Sequence, residues 1–439
     1  MELLRALRLE SLPPAPVICF VGSGGKTTAL FQLARQFSRK KLTLITTTTH
    51  LGIWQTSLAD QHIIASKTDD IQLPQTGVVL ITGEIENNRA KPVSTDILYW
   101  LRAKSQKDEI PLLIEADGSR QKPLKAPAEH EPSIPDFIDA LIYVTGLSSL
   151  GKSLNDENVH RAEIFSQITN PPIGSPITKS AILKLLTHPQ GGLKNIPKNA
   201  KRIALLNQAD TPELQSIGSS MAQELLQSFD AVLVASLQQN YIHLSERTAG
   251  IILAAGTSSR YGQIKQLLDW KGKPFVRQVA ETALRAGLEP VVVVTGFRHA
   301  EVESQLQDLP IQIVHNPDYA EGQSTSIKAG ISKLPSNAGS AIFLLADQPQ
   351  IPVEVIRALM ESHSEERQAI LAPLVLEERR ANPVLFDRVT FPDLMQLQGD
   401  VGGRGIFDKH RVSYLPWHDD ILLLDVDNPE DYERLKKFQ

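Results

Sequence analysis

Two glycine-rich segments hold the residues best suited to chemistry: Gly22-Ser23-Gly24-Gly25-Lys26-Thr27-Thr28, and Ala254-Ala255-Gly256-Thr257-Ser258-Ser259-Arg260-Tyr261-Gly262 followed by Lys265. Glycine has no Cβ, so such loops let backbone N–H groups approach phosphate oxygens, and a fixed Lys or Arg neutralises the charge gathered there. In the first segment Gly22, Gly24 and Gly25 shape the loop. Lys26 can then reach the β and γ phosphates, and Thr27 can meet Mg²⁺. In the second, Ala254, Ala255 and Gly256 leave room for a triphosphate against the backbone, while Arg260 and Lys265 are spaced to clamp its oxygens. A nucleotidyl group in transfer carries charge on several equatorial oxygens, which makes positioned cations the main catalytic device. A plain glycine turn beside solvated basic residues is the alternative at each loop.

Acids close two apolar runs. Leu112-Leu113-Ile114-Glu115-Ala116-Asp117 ends so that Asp117 or Glu115 can hold a metal or its water. Ala341-Ile342-Phe343-Leu344-Leu345-Ala346-Asp347 places Asp347 where a carboxylate can hold Mg²⁺ against phosphates, a plain turn Asp being the alternative. In Asn207-Gln208-Ala209-Asp210, Asp210 can accept from a guanine edge or cap the helix before Pro212. His50, His130 and His160 suit a metal site, substrate contacts or structural hydrogen bonds.

Positioning these groups requires strands that end at the loops. Short β-branched runs alternate with amphipathic stretches, the pattern of α/β architecture with mainly parallel sheets. Strands are expected at 17–21, 42–46, 78–81, 112–115, 140–144, 202–206 and 231–234, with helices at 26–38, 161–168, 179–186 and 212–227. The polar stretch 236–247 reads as a linker, after which strands follow at 248–253, 290–295, 311–315, 340–345, 370–374 and 421–426. A strand entering a glycine-rich turn opens an α/β domain. Two nucleotide-handling domains are therefore expected: residues 1–240 as a P-loop-like domain and 248–439 as a Rossmann-like domain with a mainly parallel sheet.

Composition agrees. A chain of 439 residues exceeds what one core usually organises. With 45 Lys and Arg against 50 Asp and Glu it has no excess of basic charge for nucleic acid or anionic lipid, so anion binding must be local. Cys19 is the single cysteine, which excludes an internal disulfide and a thiolate zinc cluster; its place in an apolar run reads as a buried strand thiol. The first sixteen residues mix charge with Pro13-Pro14-Ala15-Pro16, and no run reaches the roughly 18 apolar residues of a membrane span. A cytoplasmic protein without nucleic-acid or membrane partners is the expectation.

From Thr248 onward the chain resembles the molybdenum cofactor cytidylyltransferase branch of the MobA-like nucleotidyltransferases. The marks are the loop at 253–265, Thr295-Gly296, Asn316-Pro317, Glu321-Gly322-Gln323-Ser324-Thr325-Ser326, Ala346-Asp347-Gln348-Pro349, Asn382-Pro383-Val384-Leu385-Phe386, Gly399-Asp400-Val401-Gly402-Gly403-Arg404 and Asp425-Val426-Asp427-Asn428-Pro429. The resemblance implies that Gly256, Arg260 and Lys265 bind nucleotide phosphates, that Asp347 is a magnesium ligand, and that Asp427 is a second, with Asp425 or Asp400 as substitutes. It sets Ser324, Ser326, Gly402 and Arg404 near the acceptor. Ala255 stands where guanylyl relatives usually carry a second glycine, which favours CTP; Lys265-Gln266 and Ala381-Asn382 depart from the Asn-Lys and Gly-His pairs common in cytidylyl relatives.

The first half, over about residues 10–235, is similar to the YqeC-type family linked to selenium-dependent molybdenum hydroxylases. Besides the glycine loop the marks are Thr46-Thr47-Thr48-Thr49-His50, Lys125-Ala126-Pro127, His130-Glu131-Pro132 and Val159-His160-Arg161. Together the resemblances imply a bifunctional maturation protein. Its second half would transfer CMP from MgCTP to molybdopterin-bound molybdenum for a hydroxylase recipient, and its first would bind and hydrolyse ATP or GTP. A nucleotide-gated cofactor chaperone and a transferase acting on another phosphorylated acceptor are the alternatives.

Overall fold

The computed structural model describes residues 1–9, 12–39, 41–257 and 261–438. The chain divides into two compact units, Met1–Ser245 and Glu246–Gln439.

In the first unit the β-branched runs become β1 (Val17–Gly22), β2 (Thr43–Thr47), β3 (Gln61–Ile64), β4 (Val78–Thr82), β5 (Leu112–Glu115), β6 (Ala140–Gly146), β7 (Lys201–Asn207) and β8 (Ala231–Ser236). They pair in the order β8-β7-β6-β1-β5-β2-β4-β3, all parallel. A parallel sheet needs cover on both faces, which is why the central strands such as β1, β5 and β6 are buried along their whole length instead of alternating. Val17, Cys19 and Val21 join one buried layer and Ile18 and Phe20 the other. Helix α1 (Lys26–Ser38) covers the second layer through Ala29, Leu30 and Leu33. The first is covered by α2 (Thr95–Asp108), α3 (Ala162–Thr169), α4 (Lys179–Thr187) and α5 (Pro212–Leu225). Cys19 is fully buried, and that burial pushes its thiol well up, out of the reactive range.

Three of these helices start on hydroxyl caps: Ser94 accepts from the Ile97 N–H at 3.3 Å, Thr178 from Ala181 at 3.2 Å and Thr211 from Leu214 at 3.3 Å. The cap before Pro212 is therefore Thr211 and not Asp210, whose Oδ1 accepts from the Ser236 hydroxyl at 2.5 Å.

The second unit contains β9 from Glu246 onward (the strand runs Tyr241–Ala254, its first residues counted with the first unit), β10 (Val291–Thr295), β11 (Gln312–His315), β12 (Ala338–Leu345), β13 (Ile370–Val375), β14 (Val384–Asp387) and β15 (Val412–Trp417). The order is β11-β10-β9-β12-β14-β13-β15; β14 runs antiparallel to both neighbours and the other pairs are parallel. Its helices are α6 (Phe275–Ala286), α7 (His299–Ser304), α8 (Gln323–Ile331), α9 (Val353–Glu366) and α10 (Pro429–Lys436). Val276 and Val279 of α6 and Val355 and Ile356 of α9 pack with Ile252 and Val293, while Ile327 and Ile331 of α8 pack on the other face with Ile251 and Val292.

Two expectations are corrected. Most of the polar stretch 236–247 is strand, because β9 begins at Tyr241. The apolar run at 421–426 is no strand: Asp420–Leu423 forms a short 3-10 turn, yet Leu422, Leu424 and Val426 are buried. The strand there is β15 instead, at the end of the sheet, where Pro416 removes no hydrogen bond that a further strand would need.

Candidate functional site

Both glycine segments leave the carboxyl end of a central parallel strand, β1 in the first unit and β9 in the second, the place where open α/β sheets bind ligands.

In the first unit Gly22, Gly24 and Gly25 have φ of 92, 81 and 109°. A Cβ would lie 2.2 Å from the Val144 carbonyl oxygen at Gly22 and 2.3 Å from the Gly146 nitrogen at Gly24. Packing against β6 thus demands glycine at both. The N–H groups of this stretch are already used: Gly22 donates to the Asp117 carboxylate at 2.9 and 3.1 Å, Ser23 to Val144 O at 2.8 Å and Gly24 to Lys122 O at 3.2 Å. Anion-facing donors come instead from the first turn of α1, whose N–H groups have no partner inside the helix. Asn207 braces the turn, donating to Gly24 O at 2.8 Å and accepting from Leu237 N at 3.2 Å.

Lys26 is buried, with its ammonium on the Asp117 carboxylate and carbonyl and 3.4 Å from Glu115 Oε1. Burial alone pulls this ammonium down; Asp117 and Glu115 outweigh it and leave the group above its usual value. Glu115 is held up by burial against the pull of Lys26. Asp117 has both oxygens engaged, since Oδ2 also meets Lys125 Nζ at 2.9 Å. The acid nearest Thr27 is Glu115, whose Oε2 accepts from the Thr27 hydroxyl at 3.3 Å, so a metal at this loop would find Thr27 and Glu115 and not Asp117. Lys125 continues the network to Glu131 at 2.7 Å, and Arg161 meets the same Glu131 oxygen at 2.7 Å. The loop opens into a cleft of about 820 Å³. Lys26, Thr27, His50, Glu115, His130 and His160 line it together with Gln208; Asp210 does not.

In the second unit a cleft of about 490 Å³ is bounded by Ala255, Gly256 and Thr257, by Ser326, and by Asp347. Lys265, largely buried, sets its ammonium 2.8 Å from Asp427 Oδ1 and 3.6 Å from Asp347 Oδ2. Burial raises the Asp347 carboxyl, Lys265 lowers it, and Asp425 and Asp427 raise it again. Asp425 is also raised, chiefly by burial and against its hydrogen bond from Gln348. Three carboxylates around one ammonium leave negative charge in excess, a donor set of hard oxygens suited to Mg²⁺. From the other wall Asp400 Oδ1 accepts the Gln323 N–H at 3.2 Å, and Asn316 donates to Ser326 at 3.0 Å. The Ser324 hydroxyl is buried and meets no hydrogen-bond partner among the described residues. Gly402 packs on the Gln323 side chain and does not line the cleft. Arg404 is exposed, its charge felt at Asp425. Arg260 lies outside the described residues.

Residues 18–163 match the YqeC protein family, and residues 250–414 match the MobA-like NTP transferase domain. The uncharacterized protein YqeC of Escherichia coli is 34% identical over 233 residues, 51% of this chain and 88% of that protein. The purine catabolism protein PucB of Bacillus subtilis is 33% identical over 199 residues, 43% of this chain and 95% of that protein. The chain belongs to the YqeC family in its first half and to the MobA-like NTP transferases in its second. Its transferase half is also 29% identical over 195 residues to the molybdenum cofactor cytidylyltransferase of Escherichia coli, 43% of this chain and 94% of that protein.

The second half is thus a nucleotidyltransferase domain, and its cleft gathers Ala255, Gly256, Ser326 and Asp347 as the sequence suggests. Sequence reasoning gave no role to Gln266, which donates to Gly256 O at 3.0 Å, or to Tyr319, which packs where a Cβ on Gly296 would come within 2.8 Å. In the YqeC half it missed Trp54 and Gln55, the latter donating to Thr27 Oγ1 at 3.1 Å.

Among the described residues, one group of three side chains has ligand atoms close enough to hold a metal ion: His299, Glu303 and His315, near the surface of the second unit. His50, His130 and His160 line one cleft but form no such group.

Proposed function

We propose that the transferase half moves CMP from CTP to the terminal phosphate of a molybdenum-bearing molybdopterin and releases pyrophosphate. An oxygen of the acceptor phosphate attacks the α-phosphorus, the new O–P bond forms in line, and the bond to the β-phosphate breaks. The acceptor is already anionic, so no side chain need become a nucleophile. The carrying observation is the setting of Lys265 between Asp347 and Asp427 beside the Ala255–Gly256 turn.

In this reading the small side of the turn admits the triphosphate, Lys265 and Arg260 offset its charge, and Ser324 and Ser326 face the acceptor. Asp347, with Asp427 or Asp425, would hold Mg²⁺, which supplies charge neutralisation for the departing pyrophosphate. CTP is favoured by Ala255, whose methyl occupies the space beside Gly296, and by the cytidylyltransferase among the relatives. Arg404 would meet the acceptor, with Gly402 packed on Gln323 outside the cleft, and a molybdenum hydroxylase would receive the product.

For the YqeC half we propose a P-loop-like site that binds and hydrolyses ATP or GTP, with Lys26 on the phosphates and Thr27 and Glu115 toward Mg²⁺. Asp117 acts there by orienting Lys26.

The test uses the full chain with Mg²⁺, the molybdenum cofactor and each of four labelled nucleoside triphosphates. Pyrophosphate should appear fastest with CTP; equal use of all four defeats the cytidylyl assignment. Absence of cofactor-dependent release with any of them defeats the transfer itself.

A further inference from the structure

The cleft of the YqeC half holds more positive charge than a glycine loop requires. Apart from Lys26 its wall includes Arg120, Lys122 and Arg161, and the rings of His130 and His160 add further nitrogen ligands. Arg161 is matched by Glu131, but Arg120 and Lys122 meet no carboxylate among the described residues. The two stand on a turn where Arg120 and Gln121 have φ of 48 and 62°, a left-handed conformation that costs energy in non-glycine residues. The Lys122 carbonyl accepts the Gly24 N–H at 3.2 Å, so this turn rests directly on the glycine loop. His160 feels the result: burial first, then Arg161, Lys125 and Arg120, push its imidazole down to about 4.

The same cleft contains a large aromatic surface. Trp54 is 59% exposed and lies over Gly52, where an added Cβ would sit 2.4 Å from the indole. An indole left open inside a polar cleft is a stacking platform for a flat ring, since stacking is indifferent to which ring arrives. At about 820 Å³ the cleft is near the upper end of the roughly 300–1,000 Å³ range of small-molecule sites, room for more than a triphosphate tail.

We propose that the YqeC half binds, beside its nucleotide, a second ligand: a phosphomonoester of a flat ring system, its phosphate held by Arg120, Lys122, His130 and His160 and its ring stacked on Trp54. The inference rests on the nucleotide reading only for the word second. The phosphate wall and the platform stand without it. It makes this half a two-ligand device and not a simple hydrolase.

The experiment is calorimetric titration of the full chain with 1-naphthyl phosphate, inorganic phosphate and 1-naphthol, each with and without a saturating non-hydrolysable ATP analogue and Mg²⁺. 1-Naphthyl phosphate should bind tighter than either fragment and keep its affinity when the analogue is present. Replacing both Arg120 and Lys122 by Ala should weaken it at least about tenfold, the effect of losing charge-assisted hydrogen bonds, and leave the analogue unaffected. Trp54→Ala should reduce it to the level of inorganic phosphate. Lys26→Ala should do the reverse, removing the analogue and sparing 1-naphthyl phosphate. Failure of the analogue alone to bind therefore sinks the nucleotide reading, not this one. The proposal is overturned if 1-naphthyl phosphate fails to bind, is displaced by the analogue, or binds the Arg120/Lys122 variant as well as the native chain.

Discussion

Lys125 is the residue whose loss should cost the first unit most. Its side chain is 1% exposed, and its ammonium meets Asp117 Oδ2 at 2.9 Å, Glu131 Oε2 at 2.7 Å and the Gly118 carbonyl at 2.7 Å. Lys125→Met keeps most of the volume and deletes the charge, leaving two carboxylates facing one another with less compensation. Breaking a buried ionic network from one side costs about 3–5 kcal/mol. An independent gauge lies in Glu131, where burial is overcome by Arg161 and Lys125 and the carboxyl falls from 4.5 to about 2. That fall corresponds to about 3 kcal/mol of preference for the charged form, net of burial and shared by Arg161 and Lys125. The assay is urea unfolding read by fluorescence with Trp270 and Trp417 replaced by Phe, so that Trp54 and Trp100 report the first unit. The sign with pH follows: Glu131 is more acidic folded than unfolded, so its contribution is full above pH 4.5 and disappears as pH falls toward about 2. In Lys125→Met the folded-state carboxyl lies closer to 4.5, so this contribution should be smaller and should be exhausted at a higher pH. Adding Glu131→Gln should cost less than the two single losses combined, because one unpaired group is removed with its partner. A loss below about 1 kcal/mol for Lys125→Met, against the ~3 kcal/mol expected, or full additivity in the pair, refutes the reasoning.

Lys26→Ala should abolish nucleotide binding by calorimetry, and unchanged affinity rejects the phosphate-loop reading. Gly25→Ala should do nearly the same, because φ is 109° and the new methyl would lie 2.3 Å from Asn207 Nδ2; normal binding would show that the loop tolerates a different path. Asp347→Asn should lower transfer by at least about a hundredfold at saturating Mg²⁺, the scale of losing one transition-state electrostatic contact, and near-normal turnover removes it from the site. Gly296→Ala should raise KM for the triphosphate about tenfold, a ~1.4 kcal/mol effect, by pushing on Ala255 and Tyr319, with kcat changed less; an unaltered KM would separate that contact from substrate binding.

Local signals carried most of what could be read in advance. The glycine loops, the acids after β5 and β12 and the parallel strands all follow from short windows in which one turn or one apolar run decides the structure. Helix α2 was not legible because only Ile97, Leu101 and Ser105 are buried, a stripe too thin to stand out beside exposed Tyr99. The run at 421–426 has strand composition, but its leucines fill the core from a turn, while β15 with its proline takes the sheet position: pairing, and not propensity, chose between them. At the sites the difficulty was distance. Lys125, Glu131 and Arg161 are separated by up to 36 residues and meet only because β5, β6 and the intervening loops bring them together, so their shared role could not be read from spacing. Asp117 and Glu115 were equal candidates in the sequence; the Gly22 N–H and Lys125 occupy Asp117 and leave Glu115 beside Thr27.

The resting state of Lys26 carries a consequence for selectivity. Its ammonium already faces two carboxylates, Asp117 and Glu115, so the pocket floor carries no excess of positive charge and offers a bare anion little attraction. On the proposed nucleotide reading, a triphosphate arriving with its own divalent counterion would draw the lysine away while the metal meets Glu115. Free phosphate brings no such counterion. A nucleotide-binding loop of this kind would discriminate against the abundant simple anion in favour of the chelated one.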